Sequence, residues 1–324
     1  MGWRQGVSRS RGGSTLRALV KRIPGARFLA RRARSVRSFI VNLCCRTYQS
    51  RLNSSYWRSH HFDALDAPFA ISDHARENYV VRTSDKVIGK LLYCRGDFDL
   101  RKLERAVRII EAERGSARID IIYDIGANVG PICIPAIKRG YAARAVAFEP
   151  DPDNFRLLRI NTLLNSVDDR IVCHQVALGA EIGEAKLIQN TENHGDHRIA
   201  LCQETPVGDA VTVSVRRLDD FMPETAGVDC LLWIDVQGFE AEVLAGGTKA
   251  LQAGWPLVLE FTPQDLKANG SFDRFLDLLT TSRYSKIFDL ESPSTGSRPV
   301  SRAVLTELAA DLGRRQTFTD ILLL

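Results

Sequence analysis

Four times in this chain a short apolar run ends on an acid where a helix-length segment is about to begin. The runs are "IDIIYDIG" (119–126), "RAVAFEP" (144–150), "VDCLLWID" (228–235) and "WPLVLEFTP" (255–263), with Asp124, Glu149, Asp235 and Glu260 at or near their ends. Runs of this length without polar alternation suit strands covered on both faces, and the helical spacing between them calls for right-handed crossovers. Three further runs, "RIVCHQVAL" (170–178), "YSKIFDL" (284–290) and "TFTDILLL" (317–324), bring the expected sheet to about seven strands. The last lies close behind the sixth along the chain. Helices are expected from 131, over 151–165 behind Asp151 and Pro152, over 239–253, around 271–282 and near 301–313. "GDAVTVSVRRLDDF" (208–221) alternates and is expected to pair antiparallel with 184–188. The fold class is therefore α/β, a mostly parallel seven-stranded sheet with helices on both faces.

Charge divides the chain. Residues 1–60 hold 14 Lys and Arg and no acid, so the net charge of +5 conceals a body carrying −9. Three segments follow: a basic arm at 1–62, a lead-in at 63–118 with a strand in "YVVRT" and a helix in "FDLRKLERAVRIIEAERG", and the main domain at 119–324. The arm's short apolar patches ("LRALV", "RFLA", "SFIV") leave three readings open: a disordered solvated tail, a helix lying on a membrane surface, or a transit peptide. No apolar run approaches the ~20 residues that cross a bilayer. The acidic body argues against nucleic acid as a partner. Seven scattered cysteines without CxxC spacing indicate thiols in a reducing compartment, so the expected location is cytoplasmic, with membrane contact through the arm as a peripheral variant.

The chemistry concentrates at the strand ends. In "YDIGANVG" Gly126 and Gly130 let backbone pass close to a ligand, and amides at the following helix start are expected to point outward as donors. Glu149 closes the next strand, where a carboxylate accepts from the hydroxyl pair of a ribose. Dinucleotide binders favour G-x-G-x-x-G around a pyrophosphate, whereas this loop reads G-A-N-V-G with Asp124 two residues before its first glycine. A carboxylate there repels a diphosphate and suits the sulfonium and ammonium of S-adenosyl-L-methionine.

"YDIGANVG", "AFEPDPDNFRLLRIN", "VALG", "RRLDDF", "LLWIDVQGFEAEVLAGG" and "PLVLEFTP", in that order over 119–263, resemble the FkbM-type S-adenosylmethionine-dependent methyltransferases. The resemblance implies a Rossmann-like class I methyltransferase fold and O-methylation of a sugar, glycan or natural-product hydroxyl. It also implies that Asp124, Gly126, Asn128 and Gly130 line the methionine end, that Glu149 holds the ribose and that Ala177 lies near the adenine. The chain departs from the family's "KIDVEG" string at Trp233 and Gln237, which removes a Lys and a Glu together.

Methyl transfer to a hydroxyl needs alignment and a proton acceptor. Asp235 is the first candidate, against the alternative that it caps the following helix; Glu260 is the second, against that of a buried structural acid. The polar loop "NTENHGDHRI" (190–199) adds His194, with His197 nearby, as a third source of a base or of sugar-binding groups. A His/Asp/His metal site there lacks a helical frame and a fourth ligand, so no metal is expected. The Asp219–Asp220 pair is expected to cap a helix or pair with Arg216 or Arg217. Two rival functions stay open: a degenerate methyltransferase fold that only binds, and an NAD-dependent oxidoreductase or epimerase, for which the usual Tyr-x-x-x-Lys pair is missing.

Overall fold

The computed structural model describes residues 55–200, 210–223, 227–294 and 296–324. The basic patches of the arm and Cys44, Cys45 and Cys202 lie outside these residues. The chain divides into two units, Met1–Arg58 and Ser59–Leu324. Helix α1 (Ser55–Asp63) contains that boundary. A two-stranded antiparallel sheet, β1 (Phe69–Ile71) and β2 (Val80–Arg82), precedes helices α2 (Ile88–Arg95) and α3 (Leu100–Arg114). On α3, Leu103, Ala106, Val107 and Ile110 recur at three- and four-residue spacing and are all buried, and Gly115 ends the helix at φ +72°. No helix among the described residues is long and apolar enough to cross a membrane.

The main sheet contains all seven expected strands. They are β3 (Ile121–Ile125), β4 (Arg144–Phe148), β5 (Ile171–His174), β10 (Cys230–Ile234), β11 (Leu257–Phe261), β12 (Lys286–Asp289) and β14 (Thr319–Leu323), with the two-residue β13 (Arg298–Pro299) added at one edge. Their spatial order is β13-β12-β14-β11-β10-β3-β4-β5. β14 is inserted antiparallel between β11 and β12, and the strands from β11 to β5 run parallel.

The third expected strand divides. After His174 the chain leaves the main sheet, and β6 (Ala177–Leu178) pairs with β9 (Ala210–Arg216) in a second sheet. There β9 also pairs antiparallel with β7 (Gly183–Ile188), as its alternation predicted, and β7 pairs with β8 (Arg198–Ile199). Crossovers are made by α4 (Cys133–Lys138) and α5 (Pro152–Leu164). The helix expected over 239–253 is two, α6 (Glu240–Ala245) and α7 (Thr248–Ala253). They break at Gly246–Gly247, where a Cβ on Gly246 would stand 2.0 Å from the Gly179 carbonyl oxygen. Asp219 accepts from the Lys249 amide at the start of α7, and Asp220 pairs with Arg217 at 2.8 Å, the two roles expected of that pair.

Helices α8 (Pro263–Ala268), α9 (Phe272–Thr280) and α10 (Arg302–Arg315) complete the element order. One core packs Ile122, Trp233, Val258 and Leu322 under α3, α4 and α5; the other packs Ile125, Ile234, Leu259 and Ile321 under α6 to α10. Strand alternation then places Asp124, Asp235, Glu260 and Asp320 on the first face, all at one edge of the sheet. Because β14 runs antiparallel, Asp320 near its start meets Glu260 near the end of β11, its register partner. Lys102 of α3 reaches into this row, 2.5 Å from Asp320 and 3.0 Å from both Asp99 and Glu291.

Candidate active site

A cleft of about 560 Å³, open solvent at its mouth included, lies at the carboxyl edge of β3, β4 and β10. Gly126, Asn128, Glu149, Ala177, His194 and Asp235 all line it. The glycine loop is shaped by its neighbours: Gly126 has φ +90°, and a Cβ there would stand 1.8 Å from the Asp235 carbonyl oxygen. β3 and β10 can therefore run on into their loops side by side only with glycine at this position.

The loop's amides are taken up within the protein. Gly126 and Ala127 donate to the Phe148 carbonyl at 3.0 and 2.9 Å, Asn128 to Glu149 at 2.8 Å, Val129 to the Asn128 side chain at 2.6 Å, and Gly130 to Ala127 at 2.8 Å. The Cys133 amide at the start of α4 is taken by Asp124 Oδ2 at 3.0 Å. A pyrophosphate needs several of these donors free, and here each is committed within the protein.

Glu149 sits between the loop and the next helix. Its Oε2 accepts from the Asn128 amide and its Oε1 from the Asp151 amide, each at 2.8 Å. Each oxygen keeps capacity for one further donor. Burial pushes its pKa to about 8, helped by the nearby Asp151 carboxylate and opposed by the two amides. Burial likewise raises Asp124 to about 6. Asp151 is the N-cap of α5, accepting from the Asp153 and Asn154 amides, so the segment that presents Glu149 is fixed at both ends.

At the other side of the cleft Asp235, Gln237 and Glu260 form one group. Gln237, held at φ +53°, donates from Nε2 to Asp235 Oδ1 at 2.6 Å and to Glu260 Oε2 at 3.2 Å; Thr262 Oγ1 donates to Glu260 at 3.3 Å. Asp235 does not cap the next helix. That helix has no side-chain cap; Glu240, its first residue, accepts instead from the Val236 and Gly238 amides of the turn before it. Burial raises the pKa of both acids. Glu260 is raised further, because Asp235, Glu240 and Asp320 add negative charge around it. Buried side by side, the two carboxyls disfavour a second negative charge, so the pair as a unit holds a proton more readily than either acid alone. Lys102 supplies from α3 a positive field that the family string would place at position 233. Trp233 itself is buried and borders a second hollow with Asp99, Asp124 and Asp235.

The 190–199 hairpin closes over Glu149. The His194 carbonyl accepts from Asn128 Nδ2 at 3.1 Å and Asn154 Nδ2 at 2.9 Å, while its ring meets Ser84 Oγ at 3.0 Å. Burial lowers the His194 pKa. No hydrogen bond joins its ring to the Asp235 group among the described residues. No cluster of three His, Cys, Asp or Glu fit to hold a metal occurs among the described residues. Gln237, Asn154, Lys102 and Asp320 were not foreseen in these roles. The signal available for Asp320 was a lone acid inside the apolar run "TFTDILLL".

The sequence profile of the Methyltransferase FkbM domain matches residues 124–286. Among curated proteins, the 2-O-methyltransferase NoeI of Sinorhizobium fredii is 29% identical over 164 residues, covering 45% of this chain and 65% of that protein. The 31-O-demethyl-FK506 methyltransferase FkbM of Streptomyces tacrolimicus is 27% identical over 189 residues (49% and 70%). The hexuronic acid methyltransferase AglP of Haloferax volcanii is 29% identical over 163 residues (48% and 60%). The chain thus spans about two thirds of the length of these relatives, and the matched residues run from the acid that opens the glycine loop through β11 to the start of β12. The chain belongs to the FkbM methyltransferase family.

Proposed function

We propose that this protein is an S-adenosyl-L-methionine-dependent O-methyltransferase acting on a hydroxyl of a sugar, glycan or natural product. The observation that carries the reading is that Asp235 and Gln237 line the same cleft as Glu149, with Gln237 joining Asp235 to Glu260. The cofactor supplies an electrophilic methyl group when bound. Glu149 has two open acceptor positions suited to a ribose diol, and the fully committed loop amides disfavour a dinucleotide. Asp124, Gly126, Asn128 and Gly130 form the loop assigned to the methionine end, and Ala177 lines the wall assigned to adenine.

Asp235 would take the acceptor's hydroxyl proton, while the acceptor oxygen would replace sulfur on the methyl carbon and S-adenosylhomocysteine would leave. Gln237 holds the Asp235 carboxylate in one orientation, and the proton held by the Asp235–Glu260 pair keeps a second negative charge off the site. NoeI and FkbM are named for O-methylation and AglP for a hexuronic acid, which supports a hydroxyl-rich acceptor.

Calorimetry of S-adenosylhomocysteine with wild type and Glu149→Ala tests the cofactor. Labelled S-adenosylmethionine offered with neutral sugars, hexuronic acids, macrolide alcohols and RNA tests the acceptor. Absence of binding to the wild type refutes the methyltransferase reading. Binding without transfer to any panel member favours a binding module, and label on RNA alone overturns the acceptor class.

A further inference from the structure

One buried donor in the cleft has no use in the chemistry above. His197 sits on the same hairpin as His194, its side chain only 7% exposed. Its Nδ1 accepts the Asn190 amide at 3.0 Å, so Nδ1 carries no proton and Nε2 does. That Nε2–H has no hydrogen-bond partner among the described residues, and the nearest carboxylate oxygen, Asp151 Oδ2, is 4.0 Å away and already accepts from Gln189. Burial lowers the ring's pKa even against the pull of Asp151, in keeping with a neutral imidazole. A donor buried without an acceptor costs about 1–3 kcal/mol, so a group held this way implies an acceptor that arrives with the ligand.

The cleft's walls say which part of a ligand comes here. Asp235, Gln237 and Asn128 line it from the loops after β10 and β3, whereas the second sheet and its approach line it with the apolar Val176, Ala177, Leu178, Leu187 and Ile199, the last of these two positions from His197. With a ribose held at Glu149, a flat heteroaromatic base suits the apolar wall and a charged methionine the polar one. In-plane ring nitrogens of a purine are acceptors without hydrogens.

We propose that the His197 Nε2–H donates to a ring nitrogen of the cofactor's adenine and so selects the base. The proposal rests on the methyltransferase reading. The hairpin that carries His197 also hands its His194 carbonyl to Asn128 and Asn154, so reading the base and shaping the ribose pocket fall to one loop.

The test is calorimetry of S-adenosylhomocysteine and its 1-deaza, 3-deaza and 7-deaza adenine analogues with wild type, His197→Phe and His197→Gln. Wild type should bind one analogue about tenfold more weakly than the parent, the loss expected when a buried donor goes unpaired. His197→Phe should bind the parent about tenfold more weakly and no longer distinguish that analogue. His197→Gln, which keeps a donor, should recover part of the discrimination. Equal binding of all four compounds by wild type overturns the proposal, as does discrimination by His197→Phe equal to that of wild type. Wild type that binds none of them fails the underlying methyltransferase reading instead, an outcome distinct from either.

Discussion

If Glu149 holds the ribose as proposed, cofactor affinity should depend on pH with a definite sign. In the empty protein its carboxyl is buried and its pKa stands at about 8. Ribose hydroxyls would donate to the ionised form and stabilise it, so binding should expel the proton. At pH 6 only about 1% of an acid with that pKa is ionised and at pH 8 about half, so the Kd should tighten by about 50-fold across that interval, or ~2.3 kcal/mol. The slope should approach about tenfold per pH unit below pH 7 and vanish above about pH 9. Titrating S-adenosylhomocysteine in buffers of different ionisation enthalpy should show release of about one proton at pH 6.5. Asp124 and Asp151 face the same region, so Glu149→Gln is the control: it should bind more weakly and lose most of the slope. An affinity flat from pH 6 to 9 in wild type, or the same slope in Glu149→Gln, refutes the assignment of Glu149 to the ribose.

Asp235→Asn should lower kcat by about 100-fold or more while leaving S-adenosylhomocysteine affinity within about threefold, read by steady-state kinetics and calorimetry together. Gln237→Leu removes the donor shared by Asp235 and Glu260 and should shift the acid limb of the kcat/KM–pH profile upward, because Asp235 loses the hydrogen bond that favours its ionised form. Gly126→Ala should lower Tm by about 10 °C or more, whereas Gly140→Ala, also at positive φ but with open space around it, should cost only about 1–2 kcal/mol. The ligand-free protein should unfold at higher temperature near pH 5 than near pH 8.5. Asp124, Glu149, Glu240 and Asp320 all have raised pKa values, at about 6, 8, 7 and 7, so the stability they contribute is full below their ordinary range and lost as pH rises through those values.

The strands were legible because apolar runs between turn residues carry their own signal, and the acids at their ends mark the functional edge. Asp151 before Pro152 announced α5 for the same local reason. What stayed hidden depends on contacts distant in the chain. Nothing near Gly246 states that Gly179 backbone will press against it and split a helix. The Gly126, Ala127 and Asn128 amides go to Phe148 and Glu149 at the end of the next strand, acceptors that the loop's own sequence does not reveal. Gln237 read as a lost charge until Glu260, 23 residues on, was seen to share its amide with Asp235. His197 was visible as a residue, but an orphaned donor can be recognised only once its other nitrogen is accounted for.

The insertion of β14 between β11 and β12 also sets an order in time. β11 and β12 are made before the strand that joins them, and each must wait for a partner about 60 or 35 residues further along the chain. During synthesis β3, β4, β5 and β10 can assemble and shape the loop around Glu149 while the far edge is still open. Over that interval β11 presents an unpaired apolar edge, the kind of surface that recruits chaperones or stray strands. A ribosome stalled before residue 319 should therefore hold a chain in which β3, β4, β5 and β10 can pair while Glu260 still lacks Asp320, its register partner.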